Sequence, residues 1–242
     1  PFTSHPVWLE MAALSPRERY TRLRDDENLR HRLIAERPDE KTMHFKEVEL
    51  QRTFELDAAV NYEPAPDQSI AARAKAQGRD PFDLALELMM QNDGQALLMH
   101  PFENYCAGDL EVVKEMLEDP NTVCGVADAG AHVGVICDAS SPTSLLTHWG
   151  RDRTRGEKLP LEFLVRKQTH DTARTYGLLD RGVIAPGYKA DINLIDFEAL
   201  RLQRPHIVYD LPAGGRRIIQ KADGYRHTFV SGVEVMRGGE AT

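Results

Sequence analysis

Thr122-Val123-Cys124-Gly125-Val126-Ala127-Asp128-Ala129-Gly130-Ala131-His132-Val133-Gly134-Val135-Ile136-Cys137 is the stretch that decides how this chain is read. As far as Ala127 it is a short apolar run with β-branched residues, which predicts a buried strand. Asp128 is the first charge after that run. In α/β proteins the point where a buried strand gives way to a glycine-rich loop lies at the carboxyl edge of the sheet, where sites are built. A carboxylate there is placed for chemistry, and Asp128 is the leading candidate for a catalytic residue. His132 follows it in a loop that Gly130 and Gly134 leave free to approach a ligand closely.

Working upstream, residues 95–100 (Gln-Ala-Leu-Leu-Met-His) form a strand-like run, and Asp109 caps a helix over 110–118 that Pro120 ends. With the strand before Asp128 this makes a strand, helix, strand unit, the repeat of parallel α/β folds. That geometry places His100 at the same sheet edge as Asp128. His100 is therefore a further candidate, either for substrate contact or for support of the site, and its other reading is a satisfied structural histidine.

Nearer the N-terminus, Ser15-Pro16-Arg17-Glu18 is a capping box with proline at the first helical position. Asp25 or Asp26 caps a second helix whose Leu29, Leu33 and Ile34 make an apolar face, and Pro38 ends it. The pair is read as an amphipathic hairpin covering a larger body. Residues 43–56 carry apolar side chains at mostly even spacing, which predicts an extended segment with one kink. Asp67 is expected to cap a helix that Gly78 stops, and Asp80-Pro81 to begin another that Gly94 stops. Downstream, helices are expected from Ser141 and from Pro160, with Asp171 capping a last one. After Gly177 the pattern turns to strands: Pro186-Gly187 suits a type II turn, and Ser231-Gly232 suits the two-residue turn of a hairpin.

The chain has 242 residues, 41% of them hydrophobic and 28% charged, enough for one large or two smaller domains with real cores. No apolar run approaches the roughly 20 residues that span a bilayer, and the first residues lack a signal-peptide layout, so the expectation is a cytoplasmic protein without membrane contact. A net charge of −8 argues against a nucleic-acid groove, which needs a clustered basic surface. The basic clusters, residues 151–155 and Arg216-Arg217, read as solvated faces. Cys106, Cys124 and Cys137 are odd in number and lack CxxC spacing, so neither a disulfide framework nor a cysteine zinc site is indicated.

Four segments in series resemble the amidohydrolase superfamily, and its N-acyl-D-amino-acid deacylase (D-aminoacylase) branch in particular. They are Ala127-Asp128-Ala129-Gly130-Ala131-His132, the stretch from Thr169 to Tyr176, Gly182-Val183-Ile184-Ala185-Pro186-Gly187-Tyr188-Lys189-Ala190-Asp191, and the hairpin ending Arg237-Gly238-Gly239-Glu240. The resemblance implies the C-terminal part of a (β/α)8 TIM-like barrel followed by strands of a small β-sandwich. It divides the chain into a helical hairpin with an extended lid or insert (1–66), the last strand–helix units of the barrel (67–180) and a β-sandwich portion (181–242). It also implies a zinc-dependent hydrolase of a non-peptide C–N bond in a small-molecule substrate. Asp128 would be both metal ligand and general base, since water on a metal still needs a group to receive its proton. His132 would orient Asp128, touch substrate or tie down the loop.

Two departures qualify that picture. The His-x-His pair, the bridging residue and the further histidines that hold the metal in such enzymes are missing: the nine histidines include no pair at i, i+2 or i, i+4 spacing. A full barrel also takes about 250 residues by itself. The expectation is a fragment or separately encoded half that completes its zinc site and covers its strand edges with the remaining N-terminal half or another copy, and that is inactive without them. The second departure is Thr143 after Pro142, where deacylases of this branch tend to place an arginine for the substrate carboxylate. An ester or lactone hydrolase on the same fold is the remaining alternative.

Overall fold

The computed structural model describes residues 1–36, 47–125, 127 and 130–242. The chain divides into two compact units, Pro1–Leu110 and Glu111–Thr242. Among the described residues no helix is long and apolar enough to cross a membrane.

The first unit is helical. Its elements are α1 (Pro6–Leu9), α2 (Pro16–Asp25), α3 (Glu27–Ala35), a 3-10 turn (Glu47–Arg52), β1 (Phe54–Glu55), a second 3-10 turn (Pro66–Gln68), α4 (Ile70–Gln77), α5 (Pro81–Gly94) and β2 (Leu98–Met99). The capping box at α2 is formed in both directions: Ser15 Oγ accepts from the Glu18 amide, and Glu18 accepts from the Ser15 amide. Asp26 caps α3 through the Leu29 amide at 2.9 Å. This hairpin is not a detached cover, because Leu23, Leu29 and Leu33 are buried in one core with Phe2, Met11, Ile70 and Leu84.

Three expectations are corrected here. Ser69, rather than Asp67, caps α4, because Pro66–Gln68 already forms its own 3-10 turn and leaves Ser69 Oγ facing the Ala72 amide. Of the extended segment expected over 43–56, residues 43–46 lie outside the described residues, Glu47–Arg52 is 3-10 helix, and Phe54–Glu55 alone is strand. The strand expected at 95–100 shortens to Leu98–Met99 and pairs antiparallel with β1, Phe54 opposite Met99. The parallel unit that would carry His100 and Asp128 to one edge is therefore not formed by this strand.

A buried histidine gives the first unit a pH dependence. His5 is 2% exposed, its Nδ1 accepts from the Val7 amide, and its Nε2 has no hydrogen-bond partner among the described residues. Burial pushes its pKa below the ordinary value of 6.5, and the nearby Glu36 only partly opposes this. The unfolded chain then binds the proton more readily than the folded one, so stability is full above about pH 6.5 and declines as pH falls toward the lower folded value. Urea midpoints measured between pH 7.5 and 5.5 should fall more steeply for the wild type than for His5→Asn, which keeps a capping oxygen without titrating there; parallel curves would refute the assignment.

The second unit begins with α6 (Glu111–Glu118). It continues with α7 (Ser141–Ser144), extended by π-helical turns at Leu145–Asp152, and α8 (Leu161–Arg166), carried through π-helical turns at Lys167–Asp171 into α9 (Thr172–Thr175). Asp171 does not cap a separate helix: it sits in helical backbone inside this run, and its carboxylate pairs with His170 and Arg166. The strand expected at 122–127 is not formed at any described residue of that segment. One physical reason is a competitor for the Thr122 oxygen. Lys167, 3% exposed, donates to the carbonyls of Asp119 and Thr122 at 2.9 and 2.6 Å, and a carbonyl held by an ammonium is not offered to a neighbouring strand.

The remainder is antiparallel β structure. Strands β3 (Ile192–Ile195), β8 (Tyr225–Val230), β9 (Val233–Arg237) and β10 (Glu240–Ala241) form one sheet in the order β10-β9-β8-β3. β4 (Arg201–Leu202) pairs with β7 (Ala222–Asp223), and β5 (His206–Leu211) pairs with β6 (Gly215–Ile219). The two turns read from sequence are present. Ser231 and Gly232 have φ of 52° and 81°, as a type I′ hairpin needs. Gly187 has φ of 86°, with the Tyr188 amide donating to Ala185 across the turn.

Candidate active site

The loop that carries the candidate residues is fixed at both ends within the second unit. Upstream, Lys167 Nζ takes the Asp119 and Thr122 carbonyls and also contacts Thr122 Oγ1 at 3.2 Å, so all three ammonium hydrogens have an oxygen. Downstream, the Val133 carbonyl accepts from the Ile218 amide of β6 at 2.7 Å. Beyond it, Ser140 Oγ donates to Gln220 Oε1, Thr143 Oγ1 meets Tyr225 Oη at 2.8 Å, and Gln168 donates to the Pro142 carbonyl at 2.9 Å. A helix thus holds one end of the loop and β-strands the other.

Between these anchors, Val126, Asp128 and Ala129 lie outside the described residues, so the leading candidate has its place in the sequence only. Gly130 follows with φ of 92° and open space where a side chain would stand. His132 is exposed and in left-handed backbone, φ 44°, and its carbonyl accepts from the Val135 and Ile136 amides at 2.8 and 3.1 Å. Its imidazole makes no hydrogen bond among the described residues, which leaves both ring nitrogens accessible. Cys124, just upstream, is half-buried; burial raises its thiol pKa, and Lys167 partly offsets the rise. The thiol is thus the protonated, unreactive form at neutral pH.

His100 belongs to the first unit and is engaged there. Its Nδ1 meets Thr53 Oγ1 at 3.0 Å and its Nε2 meets Glu49 Oε2 at 3.1 Å. Burial, opposed by Glu49, holds its pKa below the ordinary histidine value. Among the described residues no three His, Cys, Asp or Glu side chains come together as metal ligands. The described donor set does not fit a resident zinc ion, and no chemistry is assigned through one.

Two features had no signal in the sequence. Lys167 was one basic residue in a helix; its role depends on Thr122, far away along the chain. His170 lines an open cleft of about 610 Å³ with Leu161, Val165, Arg166 and Val183, and Asp171 holds its Nδ1 at 2.9 Å. The cleft is mostly apolar, and Gly182 closes against the Thr169 carbonyl, where a Cβ would come within 2.9 Å.

Two 5-methylthioadenosine/S-adenosylhomocysteine deaminases of Desulfitobacterium hafniense, from strains DSM 10664 / DCB-2 and Y51, are each 36% identical to this chain over 104 residues, covering 37% of it and 24% of their own length. Among solved structures, a D-aminoacylase described as defining a novel subset of amidohydrolases aligns at 24% identity and a TM-score of 0.41, over 79% of this chain and 36% of its own. A second D-aminoacylase structure, described by its binuclear metal centre, aligns at 23% identity and a TM-score of 0.40, over 81% and 37%. The chain thus spans about a quarter of the length of the deaminases and little more than a third of the D-aminoacylase chains. The amidohydrolase family model matches residues 25–236, most of the sequence, including the first three of the segments that carry the resemblance and the hairpin as far as Met236, and the chain belongs to the amidohydrolase family.

Proposed function

We propose that this chain forms the C-terminal part of a metal-dependent amidohydrolase that cleaves a non-peptide amide bond, as in an N-acyl-amino-acid deacylase. The family match through residues 25–236, which includes the Asp128 loop, carries this reading. In it, residues 67–180 are the last strand–helix units of a (β/α)8 barrel and residues 181–242 a β-sandwich portion, with 1–66 as an insert. Asp128 is the general base. It takes a proton from water as the water oxygen bonds to the carbonyl carbon; the C–N bond then breaks and the proton passes to the leaving nitrogen, giving a carboxylic acid and an amine. His132, exposed four residues after Asp128, contacts substrate or orients the carboxylate; His100 is the other candidate for substrate contact or support. Zinc is the metal the resemblance implies, with its other ligands supplied by further polypeptide or another copy. The setting is cytoplasmic and the substrate small.

The deaminase relatives support a second reading, in which water displaces an amino group from a purine ring. Product analysis separates the two. The polypeptide supplied with zinc is incubated with N-acetyl-D- and N-acetyl-L-amino acids and, in parallel, with 5-methylthioadenosine. Release of acetate and free amine is the expected result. Ammonia from the nucleoside without amide cleavage supports the second reading instead, and neither product from any polypeptide that contains the complete site refutes both.

A further inference from the structure

We propose that Arg216, on β6, binds an oxyanion of the substrate, a carboxylate or a phosphate group, against the Gly134 side of the candidate loop. The proposal rests on the loop being the active-site loop. Four observations converge on Arg216. The outer edge of β6 is docked on the loop by the Ile218 amide and the Val133 carbonyl at 2.7 Å, so Arg216, two residues earlier on the same strand face, is carried to the loop. Its side chain then lies over a position that has no side chain of its own: a Cβ at Gly134 would stand 3.4 Å from Arg216 Nε and 3.8 Å from its Cγ. Gly134 has ordinary backbone angles, so the glycine there provides room rather than conformational freedom.

The third observation is charge. Arg217 projects to the other face and is held bidentate by Asp210, at 2.8 and 2.7 Å. Arg201, Arg226 and Arg237 in the same β region each hold a carboxylate as well. Arg216 has no hydrogen bond or ion pair among the described residues, although it is equally able to take one. Fourth, it is exposed, so its guanidinium fork is open to a ligand that approaches the loop. A planar fork with parallel N–H donors matches a carboxylate or phosphate edge, and His132, with both ring nitrogens accessible, lies two residues from Gly134.

Arginine modification tests this without any turnover. Native protein is treated with phenylglyoxal alone or with N-acetylglycine, N-acetylglycinamide or inorganic phosphate, and modified sites are mapped by peptide mass spectrometry. N-acetylglycine should slow modification of Arg216 several-fold while the uncharged amide leaves it unchanged, and Arg204 should serve as an unprotected reference. Protection by phosphate at lower concentration than by N-acetylglycine assigns the oxyanion to a phosphoryl group; the reverse order assigns it to a carboxylate. On a hydrolysed N-acetyl amino acid, Arg216→Gln should raise KM by roughly 10- to 100-fold with kcat little changed, and Arg217→Gln should change neither. Equal protection by acid and amide, or an unchanged KM in Arg216→Gln, overturns the proposal. Protection of Arg216 in a protein that cleaves no amide would instead refute the hydrolase reading and leave the anion site standing.

Discussion

Replacing Asp128 by asparagine is expected to lower kcat on a hydrolysed amide by a factor of roughly 10²–10⁴ with KM changed only a few-fold. The substitution keeps the size and hydrogen-bonding reach of the side chain and removes only its ability to take a proton near neutral pH. The loss should therefore fall on the chemical step. A pH profile makes the claim specific: in the wild type kcat rises with pH through the titration of an essential base, and that limb should vanish in the asparagine variant while Asp128→Glu retains part of it. Because both anchors of the loop, Lys167 upstream and the Val133–Ile218 bond downstream, stay untouched, urea midpoints of the variant and wild type should agree. Wild-type kcat in Asp128→Asn would remove Asp128 from the mechanism. A large fall in kcat accompanied by an equal fall in stability would make it a structural residue.

How much of the molecule is legible in its sequence depends on the distance over which each feature is decided. The Ser15–Glu18 box, the proline that starts α5, the Ala185–Tyr188 turn and the Ser231-Gly232 hairpin are each settled by partners within a few residues, and all are present as read. The segment 122–127 is different. Its β-branched run reads as a buried strand, yet Thr122, Val123 and Cys124 are only partly buried, Gly125 is exposed, none is in a strand, and the Thr122 carbonyl goes to an ammonium 45 residues further on. No local pattern announces that. His100 was placed by assuming a parallel unit, whereas β2 turns back on β1 and delivers the imidazole to Glu49 and Thr53. The loop after Asp128 is present from Gly130 through His132, where the glycines mark it, while Asp128 itself lies outside the described residues. Arg216 is not legible in the sequence, because one of two adjacent arginines is neutralised by Asp210 across a hairpin, and only the pairing register tells which.

The same dependence on distant partners sets the second large prediction, at Arg153. Its side chain is fully buried, stacks on the Trp149 ring at 4.4 Å, donates to the Glu157 carbonyl at 2.9 Å and pairs with Glu111 at 2.7 Å, while the Glu111 carboxylate remains half exposed. Removal of the exposed acid should therefore cost more than replacement of the buried base. Glu111→Ala removes an ion-pair partner from a guanidinium that water cannot reach, at a cost of about 3–5 kcal/mol. In Arg153→Met the half-exposed Glu111 carboxylate keeps its contact with water and an apolar chain fills the space, so the cost should stay below about 2 kcal/mol. The double variant should recover most of the Glu111→Ala loss, since the buried charge is then gone. Urea unfolding followed by the fluorescence of Trp149, in a Trp8→Phe background, reads all three directly at the ring that Arg153 covers. Equal losses in the two single variants, or a larger loss in Arg153→Met, would mean that packing and hydrogen bonds at Arg153, rather than the charge balance with Glu111, set the stability of this unit.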